Sequence, residues 1–139
     1  MKATRSRAHC HCVVCSPDNS HGFNIQFAMA DDGSVATEFH CSRTYQGYDN
    51  VLHGGVIATL LDSAMVHCLF GHGREALTAE LNIRFKEPVR TDCPAQVRAW
   101  ISQDGRQLTV LESELVQEGR RKVVGTGKFM EDTAAHKKG

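Results

Sequence analysis

The residues best suited to chemistry lie in one stretch, Leu52-His53-Gly54-Gly55-Val56-Ile57-Ala58-Thr59-Leu60-Leu61-Asp62-Ser63-Ala64-Met65. Ile57, Leu60, Leu61, Ala64, Met65 and Cys68 recur at three- and four-residue spacing, which predicts a helix over about Gly54 to Phe70. His53 and two glycines stand at its start. Backbone N–H groups in a first helical turn have no partner within the helix and lie at the positive end of its dipole. Glycines leave them uncovered by side chains, so a carbonyl oxygen gaining negative charge could be stabilised there.

Asp62 is the other reactive group. Val56, Ala58, Val66 and Phe70 make the helix apolar on its remaining side too, so it reads as buried almost all round. A buried carboxylate costs about several kcal/mol unless it is paired or protonated. The positions three and four residues away are Ala58, Thr59, Met65 and Val66, so no Lys or Arg on the helix pairs it. Two readings follow: a catalytic carboxylate, or a structural one that accepts hydrogen bonds from a loop. Gly54 and Asp62 are eight residues apart, roughly 12 Å along a helix at 1.5 Å per residue. That is too far for both to touch one reacting carbonyl. If both act, they come from different subunits, with two helices meeting near a two-fold axis.

The elements that must position these residues are legible on either side. Phe23, Ile25, Phe27 and Met29 alternate with polar or small residues and predict a strand, turned back at Asp32-Gly33. A second strand carries Val35, Thr37, Phe39 and Cys41 on one face, and a loop over 42–52 leads to the helix. Gly71-His72-Gly73 ends the helix. Beyond it, Thr78 to Lys86 alternates, with Ala79, Leu81, Ile83 and Phe85 facing one way and Thr78, Glu80, Asn82, Arg84 and Lys86 the other. Further strands are expected over about Pro94 to Ser102, Leu108 to Gln117 and Lys122 to Met130, with turns at Asp104-Gly105 and Glu118-Gly119. The order ββαββββ describes an α+β fold: an antiparallel sheet curled around one long central helix.

The chain has 139 residues, which suits one domain over about 23–132, preceded by a polar Cys/His-containing arm (1–22) and followed by a tail (133–139). Sixteen basic residues balance sixteen acidic ones. That excludes a chain-wide basic field for nucleic acid and leaves self-association unopposed. The apolar-rich stretch from 51 to 70 is broken by His53, Asp62 and His67, so no apolar run reaches the roughly 18 residues of a membrane span. The basic N-terminus has no apolar region behind it, which predicts a cytoplasmic protein with reduced thiols.

The His-Gly-Gly start, the apolar helix carrying Leu-x-Asp-x-Ala, and the alternating strand with Asn82-Ile83-Arg84-Phe85-x-x-Pro88 resemble the hotdog-fold acyl-CoA thioesterases. The phenylacetate-pathway (PaaI-like) group is the most similar, over about residues 21–131. The resemblance implies that Asp62 activates water or attacks the thioester itself, and that the Gly54 amide forms the oxyanion hole. His53 is similar to a residue that helps to hold or polarise the thioester. Thr78 matches a hydroxyl that orients the water or the carboxylate. Gly55 is placed against the substrate, and Arg84 and Lys86 are candidates for coenzyme A phosphates. Some members carry an Asn about six residues before the His; that position is Gly47 here, and the nearest loop Asn is Asn50. No cofactor is implied, and the expected partners are acyl-CoA and one or three further copies of the chain. Other hotdog proteins are dehydratases or acyl-CoA sensors, so a binding module without turnover is the alternative. A dehydratase would want a catalytic His near an acid, and His67 is out of phase with Asp62.

Cys10, Cys12 and Cys15, with His9, His11 and His21, have ligand chemistry suited to zinc, but no second Cys pair or His pair completes a site. No metal is therefore expected. Cys41, Cys68 and Cys93 read as core or near-core small hydrophobes. His40 and His72 read as surface residues, and Trp100 as a subunit contact or a loop cap. Arg84 and Lys86 also fit a plain solvated strand face.

Overall fold

The computed structural model describes residue 14, residue 23 and residues 25–131. The elements are β1 (Ala28–Met29), β2 (Val35–His40), α1 (Gly54–Gly71), β3 (Ala76–Phe85), β4 (Pro94–Gln103), β5 (Leu108–Gln117) and β6 (Arg120–Glu131), with a short 3-10 turn at Arg43–Tyr45. All six strands form one antiparallel sheet in the order β1-β2-β4-β5-β6-β3. This is the hotdog arrangement, with α1 seated on the sheet's inner face.

The first strand is shorter than its alternation predicts. Only Ala28 and Met29 pair with β2, although Ile25 and Phe27 are buried as their period requires. Burial of one side chain in two needs only extended backbone; a strand also needs a neighbour to pair with. Of the N-terminal arm, Val14 alone is described. It is buried, and its carbonyl accepts a hydrogen bond from the Ile25 amide at 2.6 Å. The arm's cysteines and histidines, and the tail, lie outside the described residues, as does the question of zinc.

The hairpin signals hold. Gly33 has φ +86°, and Glu118 and Gly119 have φ +55° and +72°. The second pair forms a two-residue turn whose backbone twist matches that of β5 and β6. Gly125 and Gly127 of β6 face α1. A Cβ on Gly125 would lie 3.3 Å from Leu61 Cδ1, and one on Gly127 would lie 3.1 Å from the Met65 sulfur. The missing side chains let the helix approach the sheet closely. Leu60, Leu61, Ala64, Met65 and Cys68 are fully buried there, and a large apolar side chain so placed contributes about 1.5–3 kcal/mol. By length and composition α1 could cross a membrane, but these side chains form the core of the sheet's concave face.

His67 is also buried in this core. Its Nδ1 lies 2.8 Å from the Ser63 carbonyl, and its ring stacks on Phe27 at 4.7 Å. It packs between Phe27 and Phe70. His40 and His72 are exposed, as expected. Trp100 is half-buried, with its indole N–H 3.2 Å from Glu112 and the Arg98 guanidinium 5.0 Å above its ring. Burial pushes the Cys41 and Cys68 thiols up to about 11. At neutral pH both are protonated packing groups with no nucleophilic character.

Candidate active site

His53 is the N-cap of α1, with extended backbone (φ −60°, ψ 133°), and Gly54 is the first helical residue. The His53 Nδ1 accepts a hydrogen bond from the Gly55 amide at 2.9 Å. The Gly55 N–H is therefore taken. The Gly54 N–H has no partner among the described residues. It stands beside a cavity of about 690 Å³ whose lining includes His53, Gly54, Tyr48, Ile57, Phe85 and Lys86.

One wall of this cavity is held by hydrogen bonds between two loops. The Leu52 amide donates to the Val89 carbonyl at 2.8 Å, and the Thr91 amide donates to Asn50 at 3.1 Å. Behind them Gln117 is fully buried with its amide saturated. Its Oε1 accepts from the Arg90 amide (2.8 Å) and Lys122 Nζ (2.9 Å), and its Nε2 donates to the carbonyls of Arg90 (2.8 Å) and Cys93 (3.0 Å). A saturated buried polar group of this kind fixes the segments it ties together. Tyr48, at the cavity rim, is 87% exposed. Neither it nor Phe85 stood out as a site residue in the sequence, because one sits in a loop and the other fits the apolar alternation of its strand.

Asp62 lies elsewhere on the helix. The expectation of a carboxylate buried on all sides is corrected: Asp62 is half-buried, on a stripe with Gly55, Thr59 and Val66 that the sheet leaves partly open. The stripe is open because the sheet ends nearby at β3, an edge strand. The Thr78 hydroxyl donates to Asp62 Oδ1 at 2.7 Å.

That contact corrects a second expectation. Strict alternation puts Thr78 on the face opposite Leu81, Ile83 and Phe85. In the structure Thr78 pairs with Phe129 and Glu80 with Lys128, leaving Ala79 as a bulge. The extra residue shifts the phase by one, so Thr78 shares the helix-facing side with Leu81. Thr78→Val keeps shape and burial but removes the hydroxyl. Losing a bond that positions a reacting group should lower turnover about ten-fold or more, while the melting temperature changes little because the bond is exposed. Steady-state kinetics beside a thermal melt check this.

The other candidates separate. Lys86 lines the cavity, because pairing stops at Phe85 and the Lys86 amide turns to the Lys122 carbonyl. Arg84 stays in register opposite Val124, on the outer face, so the two cations do not converge within one chain. Asn50 is absent from the cavity lining. Its φ of +66° and its paired backbone make it the turn residue of the 46–52 loop. Gly47 lines the cavity in front of the His53 ring.

One long helix seated on a six-stranded antiparallel sheet is the hotdog fold. A family model, the thioesterase superfamily, matches residues 49–124, more than half of the chain. The chain belongs to that superfamily. It is 48% identical over 65 residues to the acyl-coenzyme A thioesterase THEM4 of Bos taurus, a match covering 47% of this chain and 26% of that protein. The chain thus spans well under two thirds of that relative's length. Among solved structures, the thioesterase superfamily protein RHA08564 superposes with a TM-score of 0.81 at 25% identity, covering 86% of this chain and 63% of the other. The E. coli PaaI protein from the phenylacetic acid degradation operon shares the fold, with a TM-score of 0.71 at 20% identity over 77% of this chain and 78% of that one.

Proposed function

We propose that the chain hydrolyses acyl-CoA thioesters at sites built between two copies of itself. One observation carries this reading. The bare Gly54 amide opens on the cavity, while the Asp62–Thr78 pair lies farther along the same helix and outside the cavity lining. Each protomer therefore offers two half-sites, and a two-fold axis can bring the amide of one chain to the carboxylate of the other. The half-open stripe around Asp62 and the exposed Leu81 and Phe85 of edge strand β3 are the surfaces such a pairing would cover. Homology to a named acyl-CoA thioesterase supports the substrate class.

In this reading the thioester oxygen accepts the Gly54 N–H as negative charge develops. Asp62 of the facing chain takes a proton from water as the water oxygen attacks the carbonyl carbon. The tetrahedral intermediate then collapses, the C–S bond breaks, and the departing thiolate recovers that proton. Alternatively an Asp62 oxygen attacks directly, expelling the thiolate, and water then opens the mixed anhydride. Solvent oxygen-18 appearing in Asp62 after one turnover distinguishes the second route.

The test is release of free thiol from short, long and aromatic acyl-CoAs, followed by subunit mixing. Chains carrying Gly54→Pro and chains carrying Asp62→Asn are each inactive in this scheme. Refolded together in equal amounts, half of the dimers are mixed and each holds one intact site, so about a quarter of wild-type activity returns. No recovery would overturn the shared site. Tight acyl-CoA binding without thiol release would make the protein a sensor or carrier.

A further inference from the structure

Lys122 is a basic side chain in the core. β6 carries an extra residue there: Leu115 pairs with Val123 and Val116 with Arg121, so Lys122 bulges between them. The bulge turns two consecutive side chains inward, and Lys122 is 5% exposed beside the fully buried Val123. Its Nζ donates to Gln117 Oε1 at 2.9 Å and lies 3.6 Å from Glu118 Oε1. Its carbonyl accepts two amides, Lys86 at 2.9 Å and Glu87 at 3.1 Å. β3 stops pairing at Phe85, opposite Val123, so these two bonds set where the chain goes next. Residues 85–89 then form one wall of the cavity beside Gly54. Past that wall, the Gln117 side chain that receives Lys122 also holds the backbone of Arg90 and Cys93. The wall is thus tied at both ends to one buried pair.

Burying a lysine is an unfavourable way to fill this space. An apolar side chain of similar volume often serves stability as well or better, whereas a buried polar pair can fix one arrangement over its competitors. The arrangement fixed here is the cavity wall. Its lining includes Val51, Leu52, Ile57, Phe85, Pro88 and Val89, apolar groups that suit an acyl chain. We propose that Lys122 and Gln117 are positioning residues: they hold the 85–89 wall at a set distance from the Gly54 amide and so determine which acyl groups the site accepts. Neither side chain lines the cavity, so both act through the backbone they hold. The selectivity rests on the hydrolase reading; the clamp on the wall does not.

Lys122→Met removes the amine and keeps an unbranched chain, while Gln117 Oε1 still has the Arg90 amide. Two readouts test the two parts separately. Amide hydrogen exchange should speed up about ten-fold or more at Lys86, Glu87 and Arg90, with the α1 core from Leu60 to Leu69 unchanged. Equal acceleration at all of these sites, or none, overturns the clamp. Calorimetry with S-alkyl-CoA thioethers of rising chain length, which cannot be hydrolysed, reads the selectivity. One methylene in an apolar pocket is worth about 10–200-fold, so the variant should lose about ten-fold or more of the wild type's preference for its best chain length over the next longer one. On the matching acyl-CoAs, kcat should stay within about three-fold while KM takes up the change, because Gly54, Asp62 and Thr78 are untouched. A variant with the wild-type chain-length profile would overturn the selectivity role. Gln117→Met should flatten the profile further; if it fails to fold, Lys122→Met decides alone. A wild type inactive on every acyl-CoA would overturn the hydrolase reading, and the thioethers would still report the wall. A wild type that binds none of them would overturn the selectivity, with hydrogen exchange deciding the clamp.

Discussion

Gly54→Pro is expected to lower kcat for thioester hydrolysis by about 100-fold or more, the effect of removing an oxyanion donor, while the helix stays folded. Proline is favoured at the first position of a helix, where its missing N–H has no intrahelical acceptor. The residue before a proline must be extended, and His53 already is, at φ −60° and ψ 133°. A Cβ at this position meets only the Phe85 ring, at 3.6 Å, which is ordinary contact. The substitution therefore removes the bare donor beside the cavity and sets the proline Cδ in its place. Gly54→Ala is the control. It adds the same Cβ but keeps the N–H, so it should retain most of the activity. Turnover on the best acyl-CoA, with circular dichroism and a melt for each variant, decides the matter. A proline variant with near wild-type kcat would remove the Gly54 amide from the reaction.

Asp62→Asn should be at least as damaging, by about two orders of magnitude in kcat with a much smaller change in KM. The amide has the shape of the carboxylate, and its oxygen can still accept from the Thr78 hydroxyl, which lies 2.7 Å from Asp62 in the wild type. It can neither take a proton from water nor attack a thioester as an anion. Because the side chain is only half-buried, the neutral replacement should not disturb the fold, and the elution volume on size-exclusion chromatography should match that of wild type. A variant that binds acyl-CoA normally but releases no thiol is the expected product. One that turns over at the wild-type rate would leave Asp62 as a structural partner of Thr78.

The elements were legible in the sequence because their signals are local. The 3.6-residue period of Ile57, Leu60, Leu61, Ala64, Met65 and Cys68 marks a helix, and all six side chains are buried. Asp32-Gly33 and Glu118-Gly119 mark turns through backbone preference alone. The His-Gly-Gly start required nothing beyond the rule that a first turn has bare amides. The separation of Gly54 from Asp62 is equally local, since it depends only on helical rise, and α1 runs unbroken from Gly54 to Gly71.

What the tertiary structure decided are relations between distant segments. Thr78 meets Asp62 only because Ala79 bulges against β6, and one residue more or less in a paired strand reverses its faces. No periodicity in β3 alone reports that, because the register is set by the partner strand. The cavity joins residues from the 47–54 segment, Ile57 and the 85–89 segment, which are adjacent only through the sheet and its loops. The apolar helical neighbours of Asp62 predict full burial, yet burial depends on where the covering sheet ends, and β3 is an edge of it. The capping of Gly55 by His53, which leaves Gly54 as the bare donor, also needed atomic positions. Residue type and spacing determine which groups are available and which backbone forms they prefer; long-range packing determines which of those groups face each other.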